Sequence, residues 1–148
     1  MRKFYVFNIN KEMSVLAKDS PYMLYKSFET IYNSNKKDLN MAQNLYEQMA
    51  MRINQNVINQ KIYAANKDNQ FYYLVGNVHH YYNKYKGEEE ELTVKNSFLS
   101  SVGNSNNLVL LKSLTNYNFF VCDFENKDYF WLDKLVGNSL QKKEFIVK

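Results

Sequence analysis

The order of apolar and polar positions changes from helical spacing in the first half of the chain to strand-like runs in the second. Lys3 to Ile9 is rich in aromatic and β-branched residues, which favour a pleated surface, and predicts a first strand. Lys11 to Lys18 then has apolar residues at helical spacing. Ser20 as N-cap and Pro21 at the first helical position predict a second helix, which ends near Asn33.

Two more helical segments are predicted before the pattern changes. The third helix begins near Asp38, because an acidic residue suits a helix N-terminus. Its apolar positions recur every four residues, at Met41, Leu45, Met49 and Ile53. The fourth segment runs from Val57 to Ala65, and its predicted inward positions are Val57, Ile58 and Ile62.

Residues 71–102 indicate strands and turns. Residues 71–75 and 78–82 form either two strands or one strand interrupted at Gly76. The acidic block Glu88 to Glu91 follows Lys86-Gly87, and such a run of like charges is typical of an exposed turn. Leu92 to Val102 then predicts a further strand or hairpin.

The last part of the chain predicts a helix over residues 107–116, where leucines are three apart, and then a hairpin. Its two strands are Phe119 to Phe124 and Tyr129 to Leu132, joined by a polar turn. The chain is therefore predicted to be one α+β domain over residues 1–148, with a mainly antiparallel central sheet flanked by helices. About residues 138–148 are predicted to form a loose tail.

Charge and composition narrow the possible partners. The net charge is +4, from 19 basic and 15 acidic side chains, and the basic residues are scattered, whereas nucleic-acid binders usually concentrate them. No apolar run is long enough to span a bilayer. The N-terminus shows no signal-peptide pattern, and the lone Cys122 fits a reducing compartment. We therefore expect a cytoplasmic protein that binds neither nucleic acid directly nor a membrane.

The residues that usually carry catalysis are sparse. His79 and His80 are neighbours on a predicted strand, so they point to opposite faces and cannot easily share a metal. Cys122 lies in an apolar strand, as expected of a buried thiol, and the four glycines are isolated, so no phosphate-binding loop is predicted. No cofactor or metal is expected. The many Tyr, Phe and Met residues favour a protein-binding module over an enzyme.

Two runs carry a resemblance to a known family. The first is F-Y-V-F-N-I-N-K-E-M, residues 4–13, an aromatic strand that leads into Lys-Glu. The second is the closing hairpin, residues 119–132, in which Asp123, Phe124, Tyr129 and Trp131 fit an FxxxDFxxxxYxWL-like pattern. Together they resemble the sporulation inhibitor of replication (SirA) family of spore-forming bacteria, and the order of elements agrees over nearly the whole chain.

The resemblance implies a small, non-catalytic protein whose sheet is similar to the N-acetyltransferase fold. It implies binding to the N-terminal domain of the replication initiator DnaA, which restrains initiation of DNA replication during sporulation. We expect a monomer. The family's contact positions correspond here to an exposed patch of five residues: Met13, Ala17, Gln48, Met49 and Arg52. At Met13 and Ala17 the family has aromatic residues.

Other functions remain open at this point. One is an acyltransferase-like enzyme, against which the missing phosphate loop counts, and coenzyme A binding would reveal it. Another is a small interaction module with a different partner. A nucleic-acid binder, the third, would lose affinity steeply with salt.

Overall fold

A computed structural model describes residues 1–104 and 108–135, and the elements of this part of the chain belong to the α+β class, as predicted. The helices are α1 (Lys11–Ala17), α2 (Pro21–Tyr32), α3 (Leu39–Met49) and α4 (Gln55–Asn66). The strands are β1 (Arg2–Ile9), β2 (Ala50–Met51), β3 (Tyr72–Val75), β4 (Val78–Asn83), β5 (Glu88–Val94), β6 (Leu99–Gly103), β7 (Phe119–Asp123) and β8 (Asp128–Trp131). Short 3₁₀ turns lie at Lys36–Asp38, Leu111–Leu114 and Leu132–Leu135.

All strands of this part of the chain belong to one antiparallel sheet, in the order β3-β4-β5-β6-β1-β7-β8, with β2 paired to the end of β1. On one face, α1, α2 and α3 pack over β1, β7 and β8. On the other face, α4 and the 3₁₀ turns at 111–114 and 132–135 cover a second apolar core. The central strands β1 and β7 are buried between these layers, so the sheet is flanked by helices as predicted.

The closing hairpin is confirmed. β7 and β8 pair antiparallel, with Phe120 opposite Trp131 and Val121 opposite Phe130. Every residue of β7 is buried, which explains its continuous apolar pattern, and Cys122 is a buried free thiol as expected. Burial also raises the pKa of Cys122, so its sulfur stays protonated and behaves as a small apolar group.

The acidic block Glu88 to Glu91 is not an exposed turn. It forms the first half of β5 and pairs with both β4 and β6, and Glu90 points into the core. The turn lies just before it, where Gly87 has φ +64°. Alternation along the strand lets one face stay in solvent while the other is buried, so a run of like charges can still form a strand.

The structure decides between the two alternatives predicted for residues 71–82, and it corrects one predicted helix. Residues 71–82 are two strands, joined by a tight turn in which Gly76 has φ +60°, a value that glycine adopts without steric cost. The helix predicted over 107–116 is wrong for the described residues: a 3₁₀ turn covers only Leu111–Leu114. Residue 107 and the predicted tail at about 138–148 lie outside the described part of the chain.

The apolar stripe predicted for α3 is only partly right. Met41 is 65% exposed, and Ala42 and Met49 are the buried positions of this helix. A step of four residues advances about 40° around a helix, so a stripe built only from such steps rotates away from the core. Ile53 is buried but follows β2 rather than continuing the helix, and Val57 is exposed at the start of α4.

Candidate functional site

The helices α1, α2 and α3 enclose an open cavity with a volume of about 380 Å³, which we call the α1–α3 groove. Four of the five residues selected by the family resemblance line it, namely Met13, Ala17, Gln48 and Met49. The remaining lining residues are Leu16, Ser20, Met23, Leu24, Ser27 and Leu45. None of these ten side chains is acidic or basic, so the groove is apolar with an uncharged polar fringe.

Asn10 fixes the position of α1 against the end of α3. Its side-chain oxygen accepts a hydrogen bond of 2.8 Å from the backbone N–H of Met13 and so caps α1. Its side-chain amide donates to the backbone carbonyl of Gln48 at 2.7 Å, and its backbone N–H donates to the carbonyl of Met49 at 2.9 Å. These three bonds bring two walls of the groove together.

The other end of α1 is attached to the sheet. The Lys18 ammonium lies 3.1 Å from a carboxylate oxygen of Asp133 and 4.8 Å from the centre of the Trp131 ring. A cation over an aromatic face is attracted by the ring quadrupole. Although α1 has only seven residues, it is thus held at both ends, and the groove has a fixed wall.

We expect Asn10→Ala to lower the free energy of unfolding by about 1–2 kcal/mol, because the cap and the bond to Gln48 are both lost. Asn10→Asp is the matched comparison: its carboxylate keeps the cap but cannot donate to the carbonyl of Gln48. Urea unfolding followed by circular dichroism measures both. A loss of less than about 0.5 kcal/mol for Asn10→Ala would contradict the assigned cap.

Two of the predicted contact residues are not exposed as predicted. Ala17 is 6% exposed and Met49 is 2% exposed, and both belong to the core over β1 and β7. They form the floor of the groove because α1 and α3 turn these faces toward the sheet. Met13 is half-buried, and Gln48 is exposed at the rim.

The exposed apolar part of the groove comes from residues that sequence reasoning missed. Leu16 is 74% exposed and Met23 is 67% exposed, on α1 and α2 respectively. Leu16 precedes the predicted contact residue Ala17, whereas no contact residue is predicted on α2, because helical periodicity identifies the buried side of a helix. The sequence signal that could have identified Leu16 and Met23 is a large apolar residue on the side of the helix that faces away from the core.

Arg52 is the predicted residue that does not line the groove. It is exposed and follows β2, beyond the end of α3. Burial raises the pKa of Tyr46, and the positive charge of Arg52 acts against that shift. Arg52 is thus close enough to Tyr46 for its charge to act on that hydroxyl, and four of the five predicted residues line the groove itself.

The two histidines lie on opposite faces of β4, as predicted. His79 is fully buried, and its Nδ1 and Nε2 lie 2.8 Å from the Tyr72 hydroxyl and 2.7 Å from the Asn59 amide oxygen. Since the amide oxygen only accepts, Nε2 carries the proton and Nδ1 accepts from Tyr72. Burial lowers the pKa of His79 to about 4, so it is a neutral structural residue.

Within residues 1–104 and 108–135, no three His, Cys, Asp or Glu side chains are grouped closely enough to hold a metal ion. No helix in the same residues has both the length and the apolar character needed to cross a bilayer. No protein-family model matches the chain, and no curated protein matches it.

Proposed function

We propose that the protein is a cytoplasmic, non-catalytic regulator that binds the N-terminal domain of DnaA through the α1–α3 groove and restrains initiation of DNA replication. The observation that carries the proposal is the grouping of four resemblance-derived positions in one groove. Those positions come from two segments more than thirty residues apart in the sequence, and α1 and α3 bring them together.

The character of the groove supports a protein as its ligand. Leu16 and Met23 place apolar side chains in solvent, while Gln48 and the serines of α2 supply polar groups without charge. The centres of protein interfaces are depleted of charged residues and enriched in methionine and aromatic side chains. Exposed apolar surface in a concave setting is a common feature of such sites.

The small side chain of Ala17 leaves open space at the bottom of the groove beside α1. An aromatic residue at this position would fill that space with the protein's own side chain. With alanine there, the partner is expected to insert an apolar side chain between Leu16 and Met23. The affinity then depends on these two rim residues more than on the floor.

The test is titration calorimetry with the purified DnaA N-terminal domain of the same organism. Met23→Glu is expected to weaken binding by 1–3 kcal/mol, about five-fold to more than a hundred-fold, because it places a charge in an apolar contact. Met41→Glu is the matched control. Met41 is 65% exposed, and like Met23 it is the third residue of its helix, but it lies outside the groove.

Arg52→Glu extends the same titration. If the contact continues past the end of α3, this variant also loses affinity without unfolding. If it binds like wild type, the interface is confined to the groove. Equal binding by the Met23→Glu and Met41→Glu variants would remove the groove as the site, and no binding by wild type would remove DnaA as the partner.

A further inference from the structure

A second concavity of about 320 Å³ lies on the other side of α3, between α2, α3, β1 and the turn that joins β5 to β6. It shares no lining residue with the α1–α3 groove. Seven of its thirteen lining residues are aromatic: Tyr5, Phe7, Phe28, Tyr32, Tyr46, Phe98 and Phe124. We call it the aromatic pocket.

The rings of the aromatic pocket are held by one another. Phe7 stacks on Phe28 with centroids 4.0 Å apart, and Tyr32 stacks on Phe124 with centroids 4.5 Å apart. Tyr5 contacts three of the other rings at 5.4–5.5 Å. Because several of these side chains also belong to the core over β1 and β7, the walls are set by folding rather than by a ligand.

The polar groups of the pocket are uncharged. Among the described residues that line it, none is acidic or basic, and the Tyr46 hydroxyl donates a 2.6 Å hydrogen bond to the backbone carbonyl of Ser97. The pKa of Tyr32 is raised, chiefly by the neighbouring Tyr5, and burial raises the pKa of Tyr46. The Tyr46 proton is engaged with Ser97 and Tyr32 is hydrogen-bonded to Tyr5, so what the Tyr46 hydroxyl still offers a ligand is an acceptor.

We propose that the aromatic pocket binds a small, planar, uncharged aromatic compound. The volume is within the range of small-molecule sites, which are mostly apolar with a few fixed polar groups. Flat rings of the lining favour a flat ligand through stacking and edge-to-face contacts. No carboxylate among the described lining residues could pair with a cation, and the Lys3 and Lys95 ammonium groups already lie over the Tyr5 and Phe98 rings at 5.0 and 5.1 Å, so an uncharged ligand is the one whose desolvation costs least. This inference does not depend on the proposed function.

Indole is a suitable probe, and its binding to the whole protein can be followed by titration calorimetry and by protein chemical shifts. We expect saturable binding at one site, with shifts concentrated at the pocket residues. Indole-3-acetate, which carries a charge, and cyclohexanol, which is not planar, are each expected to bind about tenfold more weakly. Equal or stronger binding of either compound would overturn the stated chemistry.

Ala42→Trp fills the pocket from α3 and is expected to weaken indole binding at least about tenfold. Ala65→Trp is the matched control, because Ala65 is exposed on α4 at the opposite face of the sheet. If Ala42→Trp fails to fold, Gln43→Trp, at an exposed lining position, covers the pocket instead.

Two further kinds of result would overturn the proposal, the first of which has two forms. One is the absence of saturable indole binding by wild type, or unchanged binding by both pocket variants. The other is much tighter binding of N-acetyltryptophan amide than of indole. That result would identify the natural occupant as an aromatic side chain of a protein partner.

Discussion

Asp123→Ala is expected to lower the free energy of unfolding by about 3 kcal/mol, the largest loss of stability we predict for a single substitution. The Asp123 carboxylate is fully buried and accepts a 2.8 Å hydrogen bond from Nε of Arg2. It also accepts from the backbone N–H of Asn126 at 3.1 Å and from the Asn126 side-chain amide at 2.7 Å. The substitution therefore leaves two donors of the β7–β8 turn without their acceptor.

Asp128→Ala is the matched control, because Asp128 also binds Arg2, at 3.0 Å, but is partly exposed. Exposed pairs are worth about 0–1 kcal/mol, so this variant is expected to be nearly as stable as wild type. Urea unfolding at pH 7 measures both. Equal losses would show that the hydrogen bonds from Asn126 to the buried carboxylate add nothing to the pairing with Arg2 that both aspartates share.

The pH dependence of Asp123 has a defined sign. Burial alone would raise the pKa of Asp123, but the hydrogen bonds from Asn126 and the contact with Arg2 outweigh burial and lower it. A carboxyl with a lowered folded-state pKa contributes stability above its unfolded pKa and loses it as the pH falls further. The difference between wild type and Asp123→Ala should therefore shrink as the solution is acidified below about pH 4.

Asp123 also explains why the closing hairpin was predictable. The residues that carry the family resemblance there are those that hold β7 to β8: Asp123 closes the turn, and Trp131 packs on Phe120 with centroids 5.1 Å apart. Both strands are apolar on both faces and a polar turn separates them, so local pattern and tertiary packing agree. Where they agree, sequence reasoning is accurate.

Three asparagine side chains cap helices or a 3₁₀ turn, and amino-acid composition does not reveal this role. Asn is abundant throughout the chain, so a cluster of asparagines does not by itself indicate the end of an element. Yet Asn10, Asn35 and Asn54 each accept a hydrogen bond from the backbone at the start of a helix or 3₁₀ turn. A residue type that is frequent everywhere gives little positional information, even where individual copies determine boundaries.

The candidate groove could be predicted only in part. The resemblance identified α1 and the end of α3, and the structure brings Met13, Ala17, Gln48 and Met49 together there. The exposure of each side chain depends on the rotation of α1 and α3 about their axes, and that rotation is fixed by contacts distant in sequence, such as Asn10 to Gln48. One-dimensional periodicity contains no information on such contacts.

Glu90 is the residue of the acidic block that sequence reasoning misplaced most clearly. It is 3% exposed on the core face of β5, and its carboxylate accepts a 3.0 Å hydrogen bond from the backbone N–H of Leu110 and lies 3.4 Å from the Ser101 hydroxyl. Burial raises the pKa of Glu90 to about 7, and the hydrogen bonds offset only part of that effect. Its ionised form therefore destabilises the folded state.

Glu90→Gln is expected to be more stable than wild type by up to about 3 kcal/mol at pH 8, and to differ little from it near pH 4.5. A carboxyl whose folded-state pKa is raised stabilises the fold below its unfolded pKa, and this contribution is lost as the pH rises through about 7. Glutamine keeps the acceptor for Leu110 but cannot ionise. Urea unfolding across this pH range measures the difference in the free energy of unfolding between the two proteins.

The opposing titration of His79 is common to both proteins and cancels in this difference. Glu91→Gln is the control, since the Glu91 side chain is 56% exposed and loses only a surface contact with His80 at 3.9 Å, so its replacement should change the stability by less than about 1 kcal/mol at either pH. A difference for Glu90→Gln that stays constant with pH would show that burial does not hold this carboxyl in its protonated form.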